Sequence, residues 1–478
     1  MSKEKLNPVE SELKETNEFQ MEYLPLNDVE KKAMEVVEAL QNSGHKAYFA
    51  GGWVRDFLMN KRGHDIDIAT SAPPDEVEKI FKSIADKIDA TGKNFLVIRA
   101  RMGDEEFEIA TFRKDLGYSD GRRPDGVEIV DDRGDAERRD FTINGMFFDP
   151  VSQKLIDYVG GYKDLKDKIV RFIGKAGDRI NEDKLRILRA VRFENRLGFS
   201  LDKSAKEGIK ERAVEVRRLA PERVQEEFSK MLLKKSRAEA IRDLSELKIL
   251  EHIIPEIETL KGLKQPEEFH EEGDVWEHTL KVLEVLDEDS SLELAWAALL
   301  HDIGKPETQT MPQEKADRIR FNGHAKLGAD KARIIMRGLR FSTKQVDAVS
   351  WAIEHHINIK DVVNMRKGRQ RRLLQDPRFE LLLRLYKADC EGSSPVRLET
   401  YEKIRGLWDD EQKIPQEQKK PLLNGREIMD ILGIQPSKTG GGKIIGEIKN
   451  ALYEAQLEGV VIIKEEANEF VKNYKING

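Results

Sequence analysis

The spacing of apolar residues changes once, near residue 150, and that change limits what the chain can fold into. Before it, strands and helices are mixed. "LNDVEKKAMEVVEALQNSG" has helical spacing and stops at Gly44, and "KAYFAGG" reads as a strand entering a glycine turn. "DIDIAT" predicts a strand and "PPDEVEKIFKSIADK" a helix, while "LVIRARMGDEEFEIATFR" predicts two strands joined by the polar turn Gly103 to Glu105. The expectation is an α+β module ending near Pro150. From Asp157 onward the pattern is almost wholly helical, as in "EDKLRILRAVRFENRLG" and "PERVQEEFSKMLLKK". The loop-like "KGLKQPEEFHEEGD" then leads into a region holding six of the nine histidines, His270 to His356. "QKIPQEQKKPLL" precedes a last helical segment containing "SKTGGGK".

A length of 478 residues predicts three or four domains. Charged residues make up 36% and no apolar run approaches membrane-spanning length, while the first twenty residues are polar with no apolar signal core. No membrane partner is expected, and the expected location is the cytoplasm. The single cysteine, Cys390, excludes an internal disulfide and fits a reducing compartment. The net charge of −7 argues against a polyanionic partner only if taken globally. Between Gly161 and Arg223 there are 18 Lys or Arg against 11 Asp or Glu, a local surplus of 7 positive charges.

Within "YFAGGWVRDFLMNKRGHDIDIAT", residues i and i+2 of a strand share a face, so Asp65 and Asp67 point one way while Ile66 and Ile68 point the other. Two adjacent carboxylates repel unless a cation sits between them, and Mg suits an all-oxygen site near phosphate. Gly51 and Gly52 precede Asp65 by a gap of twelve residues, and Glu108 stands on a later predicted strand. A glycine turn lets backbone N–H groups approach phosphates with no Cβ in the way. This combination resembles the nucleotidyltransferase superfamily that includes DNA polymerase β. The resemblance implies a head with a mixed sheet, catalytic Asp65, Asp67 and Glu108, Mg held by Asp65 and Asp67, and a nucleotide bound near Gly51, Gly52 and Arg55.

Two further motifs, "RRDFTIN" (Arg138 to Asn144) and "NEDKLRILRAVRF" (Asn181 to Phe193), resemble the class II tRNA nucleotidyltransferases and the bacterial poly(A) polymerases over roughly residues 27 to 230. The resemblance implies that Arg139 and Asp140 recognise the ribose, that Asp183 and Arg186 read the base supported by Glu182, and that Arg189 joins the nucleotide site. Asp183 and Arg186 are three apart, so on one helix they share a face, as would an ordinary intrahelical ion pair. A carboxylate accepting from an exocyclic amine and a guanidinium donating to a ring nitrogen serve both C and A, whereas G and U present the opposite polarity. The "GKNF" arrangement at Gly92 to Phe95 is similar to CCA-adding enzymes. "KDLGYSDGRRPDGVEIVDDRGDAE", Lys114 to Glu137, resembles the mobile loop kept by enzymes able to add A.

A second constellation comprises His278 in "WEHTL", His301 and Asp302 in "LLHDIGKP", His324 in "GHAKLGA", His355 and His356 in "EHHIN", and Asp389 in "YKADCEGS". It resembles the HD superfamily of metal-dependent phosphohydrolases over about residues 270 to 395. The resemblance implies four metal ligands, His278, His301, Asp302 and Asp389, with His324, His355 and His356 able to complete a second site. Imidazole with carboxylate suits a divalent metal such as Mn, Ni or Mg.

The expected organisation is a polar tail (1–26), a nucleotidyltransferase head (27–150), a base-reading helical neck (151–223), a helical body (224–269), an HD domain (270–395) and a tRNA-binding tail (396–478). The expected function is template-independent addition of CCA to tRNA from CTP and ATP, with no DNA partner. Addition of A alone, poly(A) synthesis, and an HD phosphohydrolase with a nucleotide- or RNA-binding head are the alternatives.

Overall fold

The computed structural model describes residues 17–25, 27–61, 63–117, 126–266, 268, 270–312, 318–415, 419–434 and 441–474. The chain divides into two compact units, 1–255 and 256–478.

The first unit contains strands β1 (Asn17–Gln20), β2 (Ala47–Ala50), β3 (Asp67–Thr70), β4 (Lys87–Asp89), β5 (Val97–Met102), β6 (Glu105–Thr111), β7 (Arg113–Leu116), β8 (Gly126–Ile129), β9 (Phe147–Asp149) and β10 (Lys154–Asp157). Eight form one sheet in the order β1-β10-β9-β2-β3-β6-β5-β4, while β7 and β8 make a separate antiparallel pair. Within the large sheet only β3 and β6 run parallel, in the register Ile68 to Ile109. Helix α1 (Asp28–Asn42) begins where Asn27 accepts the Glu30 N–H at 2.8 Å, and it buries Val29, Ala33, Val36, Val37 and Leu40.

Helix α2 (Gly52–Leu58) follows β2 directly. Beneath it the Tyr23 ring meets Phe49, Trp53, Phe57 and Phe148 edge-on at 5.2–6.2 Å. Such edge-to-face contacts set the position of α2, and so of the glycine turn before it. Two expectations change here. The sheet reaches beyond 27–150 on both sides, because β10 pairs with β9 and β1 pairs with β10, Asn17 opposite Asp157. Residues 17–25 are therefore not a loose tail, and Tyr23 is buried.

Next in the chain come α3 (Pro74–Phe81), α4 (Asp132–Arg138), α5 (Ala176–Glu182), α6 (Arg186–Leu197), α7 (Lys203–Arg212), α8 (Pro221–Leu232) and α9 (Arg237–Glu246). Helix α6 buries Ile187, Leu188, Ala190, Val191 and Phe193, and the Phe193 ring packs on Phe141 at 5.4 Å.

The second unit is helical, with α10 (Val275–Glu284), α11 (Leu292–Leu300), α12 (His324–Gly338), α13 (Thr343–His355), α14 (Lys367–Leu374), α15 (Phe379–Gly392), α16 (Glu399–Lys413), α17 (Gly425–Leu432), α18 (Gly441–Glu458) and α19 (Lys464–Asn473). In α11 every residue from Leu294 to Leu300 is buried, as an all-round apolar helix must be. Packed against α10, α13 and α15, it delivers His301 and Asp302 to the interior. Helices α17 to α19 share their own core of Ile428, Ile448, Leu452, Ala467 and Val471. No described helix is long and apolar enough to cross a membrane. The segment "SKTGGGK" lies largely outside the described residues, as does 118–125 of the loop expected to be mobile.

Candidate functional site

The glycine turn and the acid pair meet at the edges of β2 and β3. Ala50 pairs with Asp67, so Gly51 stands beside that carboxylate. At φ 67°, ψ −134°, Gly51 occupies backbone space that favours glycine. A Cβ there would lie 3.1 Å from Asp67 Oδ2 and 3.4 Å from Arg139 Nη1, which locates the arginine next to the aspartate. The parallel register of β3 and β6 carries Glu108 alongside Asp67. Asp65 precedes the strand proper, which begins at Asp67, yet the alternation survives: Asp65 and Asp67 are exposed while Ile66 and Ile68 are buried. Although part of the residue stays exposed, the protein crowded around the Asp67 carboxyl strips it of water and pushes it up to about 6, Asp65 and Glu108 add to the shift, and Arg139 opposes it. Three carboxylates crowded in this way fit a divalent cation.

Arg55 does not stand beside these acids as a free cation. It is 2% exposed, donates to Asn144 Oδ1 at 2.7 Å and Asp56 Oδ1 at 2.8 Å, and lies over the Phe193 ring at 5.2 Å. The expected phosphate ligand is instead a buried tie between α2 and the "RRDFTIN" segment. Asp140 takes Arg189 side-on, with Nε at 2.9 Å and Nη2 at 2.5 Å. Burial works against its charge, but Arg189, Asn144 and the Phe141 N–H hold the Asp140 carboxyl below the usual carboxylate range.

Asp183 and Arg186 do not share one helix. Asp183 caps the C-terminus of α5 in extended conformation, and Arg186 opens α6. The Asp183 Oδ1 accepts the Leu185 N–H at 3.0 Å, a local bond that competes with a continuous helix. Arg186 is 6% exposed and donates to Glu182 Oε2 at 2.6 Å, the Arg179 carbonyl at 2.8 Å and the Arg138 carbonyl at 3.2 Å. Arg179 donates to the Arg139 carbonyl at 2.6 Å. The "NEDKLRILRAVRF" and "RRDFTIN" motifs are thereby bolted together.

In the second unit, His301, His324 and His356 each have Nδ1 2.6–2.8 Å from the carbonyl three residues back, of Ala298, Phe321 and Ile353. Donation there leaves each Nε2 as a lone pair. These lone pairs converge: His301 Nε2 lies 3.1 Å and His324 Nε2 3.6 Å from Asp302, and His324 and His356 Nε2 are 3.4 Å apart. Opposite them, His278 Nε2 is 3.0 Å from Asp389 Oδ1. The candidate ligand atoms of His278, His301 and Asp389 lie within 4.8 Å of one another, as do those of Asp302, His324 and His356. Burial, then His301 and His324, push His356 down to about 4. Burial opposes protonation of His278, but Asp389 and Glu272 raise it to about 9. Buried imidazoles with free lone pairs beside carboxylates form a donor set that fits one or two divalent metals.

Comparison with known proteins follows the same division. Residues 47–171 match the family described as "Poly A polymerase head domain", 198–261 "Probable RNA and SrmB- binding site of polymerase A", and 275–389 "HD domain". A CCA-adding enzyme of Lactobacillus helveticus is 38% identical over 279 residues, 56% of this chain and 67% of that protein. The chain belongs to the CCA-adding enzyme family. A CCA-adding enzyme of Bacillus subtilis is 40% identical over 223 residues, 46% of this chain and 55% of that protein, so the chain spans about half to two thirds of the curated relatives it matches. The crystal structure of the Bacillus stearothermophilus CCA-adding enzyme in complex with CTP shares the fold, with a TM-score of 0.70 at 24% identity, over 94% of this chain and 98% of that one.

In this member of the CCA-adding enzyme family, the structure gathers Gly51, Asp65, Asp67, Glu108 and Arg139 into one cluster, and His278, His301, Asp302, His324, His356 and Asp389 into another. His355 stays outside: its ring stacks on Trp351 at 4.4 Å and its Nδ1 lies 2.8 Å from the Trp351 carbonyl. Sequence reasoning missed Glu272 and His270. Glu272 has no exposed side-chain surface, and its Oε1 lies 2.9 Å from His278 Nδ1 and 2.7 Å from His270 Nδ1. Its Oε2 accepts the Ser394 N–H at 2.8 Å. Burial works against its charge, but these bonds hold the Glu272 carboxyl well below the usual carboxylate range.

Proposed function

We propose that this protein adds C and A to the 3′ end of tRNA, completing CCA from CTP and ATP without a nucleic-acid template. The observation that carries the reading is the Asp65, Asp67 and Glu108 cluster at the Gly51 turn, with Asp67 pushed up to about 6 by desolvation first and then by the other two acids. Membership of the CCA-adding enzyme family supports it. Asp65 and Asp67 would hold Mg, with Glu108 as the third acid. When bound, Mg supplies activation of the attacking hydroxyl and neutralisation of the departing pyrophosphate. Arg139, next to Asp67, adds a guanidinium for the nucleotide, and Asp140, fixed by Arg189, presents a rigid carboxylate to a ribose hydroxyl. Asp183 and Arg186 would select C and A over G and U once Arg186 exchanges part of its backbone ties for a base edge. The proposed domains keep the boundaries expected from sequence, with β1 and β10 added to the head.

Transcripts of tRNA ending before CCA, after C and after CC, each incubated with CTP, ATP or both, test the assignment. CCA addition predicts two C and one A on the first substrate and A alone on the last. Extension of the last substrate only would make this an A-adding enzyme; tails of many A would make it a poly(A) polymerase.

The converging lone pairs of His301, His324 and His356 favour a second activity. In this reading the cluster holds a divalent metal such as Mn or Ni and hydrolyses terminal phosphomonoesters or 2′,3′-cyclic phosphates on RNA. Such ends lack the free 3′-hydroxyl that nucleotide addition needs. Phosphatase assays of His301→Ala and Asp302→Ala with added Mn, Ni or Mg test it: hydrolysis should vanish while addition persists.

A further inference from the structure

The stretch "RKGRQRR", Arg366 to Arg372, holds five cations and no acid in seven residues, in a chain of net charge −7. Its helix, α14, is pressed against α18 at Gly368, where a Cβ would stand 2.8 Å from Glu458 Cγ. Residues three and four further on share that face. Both are already paired: Arg371 with Glu411 at 2.9 Å and the Leu457 carbonyl at 3.2 Å in a half-buried seam, and Arg372 with Glu454 at 3.3 Å at its exposed edge. The other three, Arg366, Lys367 and Arg369, flank this face, are exposed, and form no ion pair with any described residue. Their mutual repulsion is a cost that the fold itself does not offset.

We propose that this outward face of α14 is a contact surface for the phosphodiester backbone of RNA. The inference rests on the reading of tRNA as substrate and adds where the C-terminal unit grips it. Charge complementarity names the partner: guanidinium groups fork onto phosphate oxygens, and two of the three free cations are arginines. A lipid surface fits less well, because the neighbouring Met365, Leu373 and Leu374 are packed into the core of the unit and offer nothing apolar beside the charges.

The test is the full-length triple variant Arg366→Glu, Lys367→Glu, Arg369→Glu, with Lys367→Glu alone as a milder version and Arg366→Lys, Arg369→Lys as the charge-conserving control. Anisotropy of labelled tRNA across a salt series should show affinity at low salt falling about ten- to a hundredfold and the slope of log Kd against log salt flattening by about two to three. The KM for CTP and the kcat at saturating tRNA should be unchanged, and the charge-conserving control should keep the wild-type salt slope, losing no more than a few-fold in affinity with the guanidinium forks. Wild-type affinity and salt slope in a triple variant with a wild-type melting temperature would overturn the proposal, as would loss of binding to anionic vesicles with RNA affinity intact. Wild-type protein that binds tRNA through this face but adds no nucleotide would sink the function reading while supporting the surface.

Discussion

Removing Glu272 should weaken metal binding at the histidine cluster without touching any proposed ligand. The carboxylate accepts from His278 Nδ1, His270 Nδ1 and the Ser394 N–H, and has no exposed side-chain surface. Holding the proton on His278 Nδ1, it directs Nε2 at the site, where Asp389 lies 3.0 Å away. Partners of this kind are typically worth about 10–100-fold in metal affinity, or about 1.4–2.7 kcal/mol. Glu272→Ala also strands the Ser394 N–H and one nitrogen of a buried imidazole, at about 1–3 kcal/mol each where water cannot replace the partner. Because His270 is only half-buried, water can reach part of the gap, which favours the lower end of that range. Glu272→Gln keeps one acceptor for the histidines but cannot accept from Ser394, so an intermediate loss is expected. Titrating wild type and variants with Mn and Ni against a chromogenic chelator reads the affinity directly, and melting curves of the metal-free proteins report the structural cost. A Glu272→Ala variant whose affinity stays within about twofold, with only its melting temperature lowered, would refute the positioning role and leave Glu272 as a loop tie.

Gly51→Ala forces a Cβ toward Asp67 Oδ2 in a conformation costing about 1–3 kcal/mol; nucleotide incorporation should fall at least about tenfold per 1.4 kcal/mol of misplacement, with tRNA affinity unchanged in a binding assay. Arg186→Ala should relax selection against UTP and GTP by about 1–3 kcal/mol, and unaltered selectivity in nucleotide competition would remove Arg186 from base reading. Burial pushes the Glu194 carboxyl up to about 7, against about 4.3 in an unfolded chain. The folded state therefore holds its proton more tightly, and stability present below the unfolded pKa is lost as pH rises through about 7. Glu194→Gln, still able to accept the Leu201 N–H, should be neutral near pH 4 and more stable than wild type by up to about 3 kcal/mol at pH 8; equal urea midpoints at pH 8 would contradict this.

What the sequence disclosed was local chemistry. The two-residue period of "DIDI" places two acids on one face wherever the strand begins, so the start at Asp67 left the site unchanged. The break between α5 and α6 was hidden because "NEDKLRILRAVRF" has no Gly or Pro; the interruption comes from the Asp183 side chain capping Leu185, an option any aspartate has and few take. His355 and His356 are neighbours, so on a helical path they diverge by about 100° and only one can face the cluster. Trp351, one turn before His355, was the available hint, since its ring covers the outer histidine. For β1 there was no hint at all: "NEFQ" has no apolar alternation, and its partner lies some 140 residues away at Asp157.

The same distinction explains why Arg186 resists a simple assignment. Its donors reach Glu182 within the motif, but also the Arg138 carbonyl 48 residues upstream, while Arg179 holds the Arg139 carbonyl and Arg189 holds Asp140. Three arginines of the neck thus grip the three consecutive residues of "RRD", whose Arg139 lies beside Asp67. The pair proposed to read the base, fixed in this way, cannot shift without moving the residues proposed to bind the ribose. Loss of Arg186 should therefore lower use of CTP and ATP together as well as relax selectivity. A variant that lost selectivity with undiminished use of both correct nucleotides would show that the two motifs act independently and that these ties serve the fold alone.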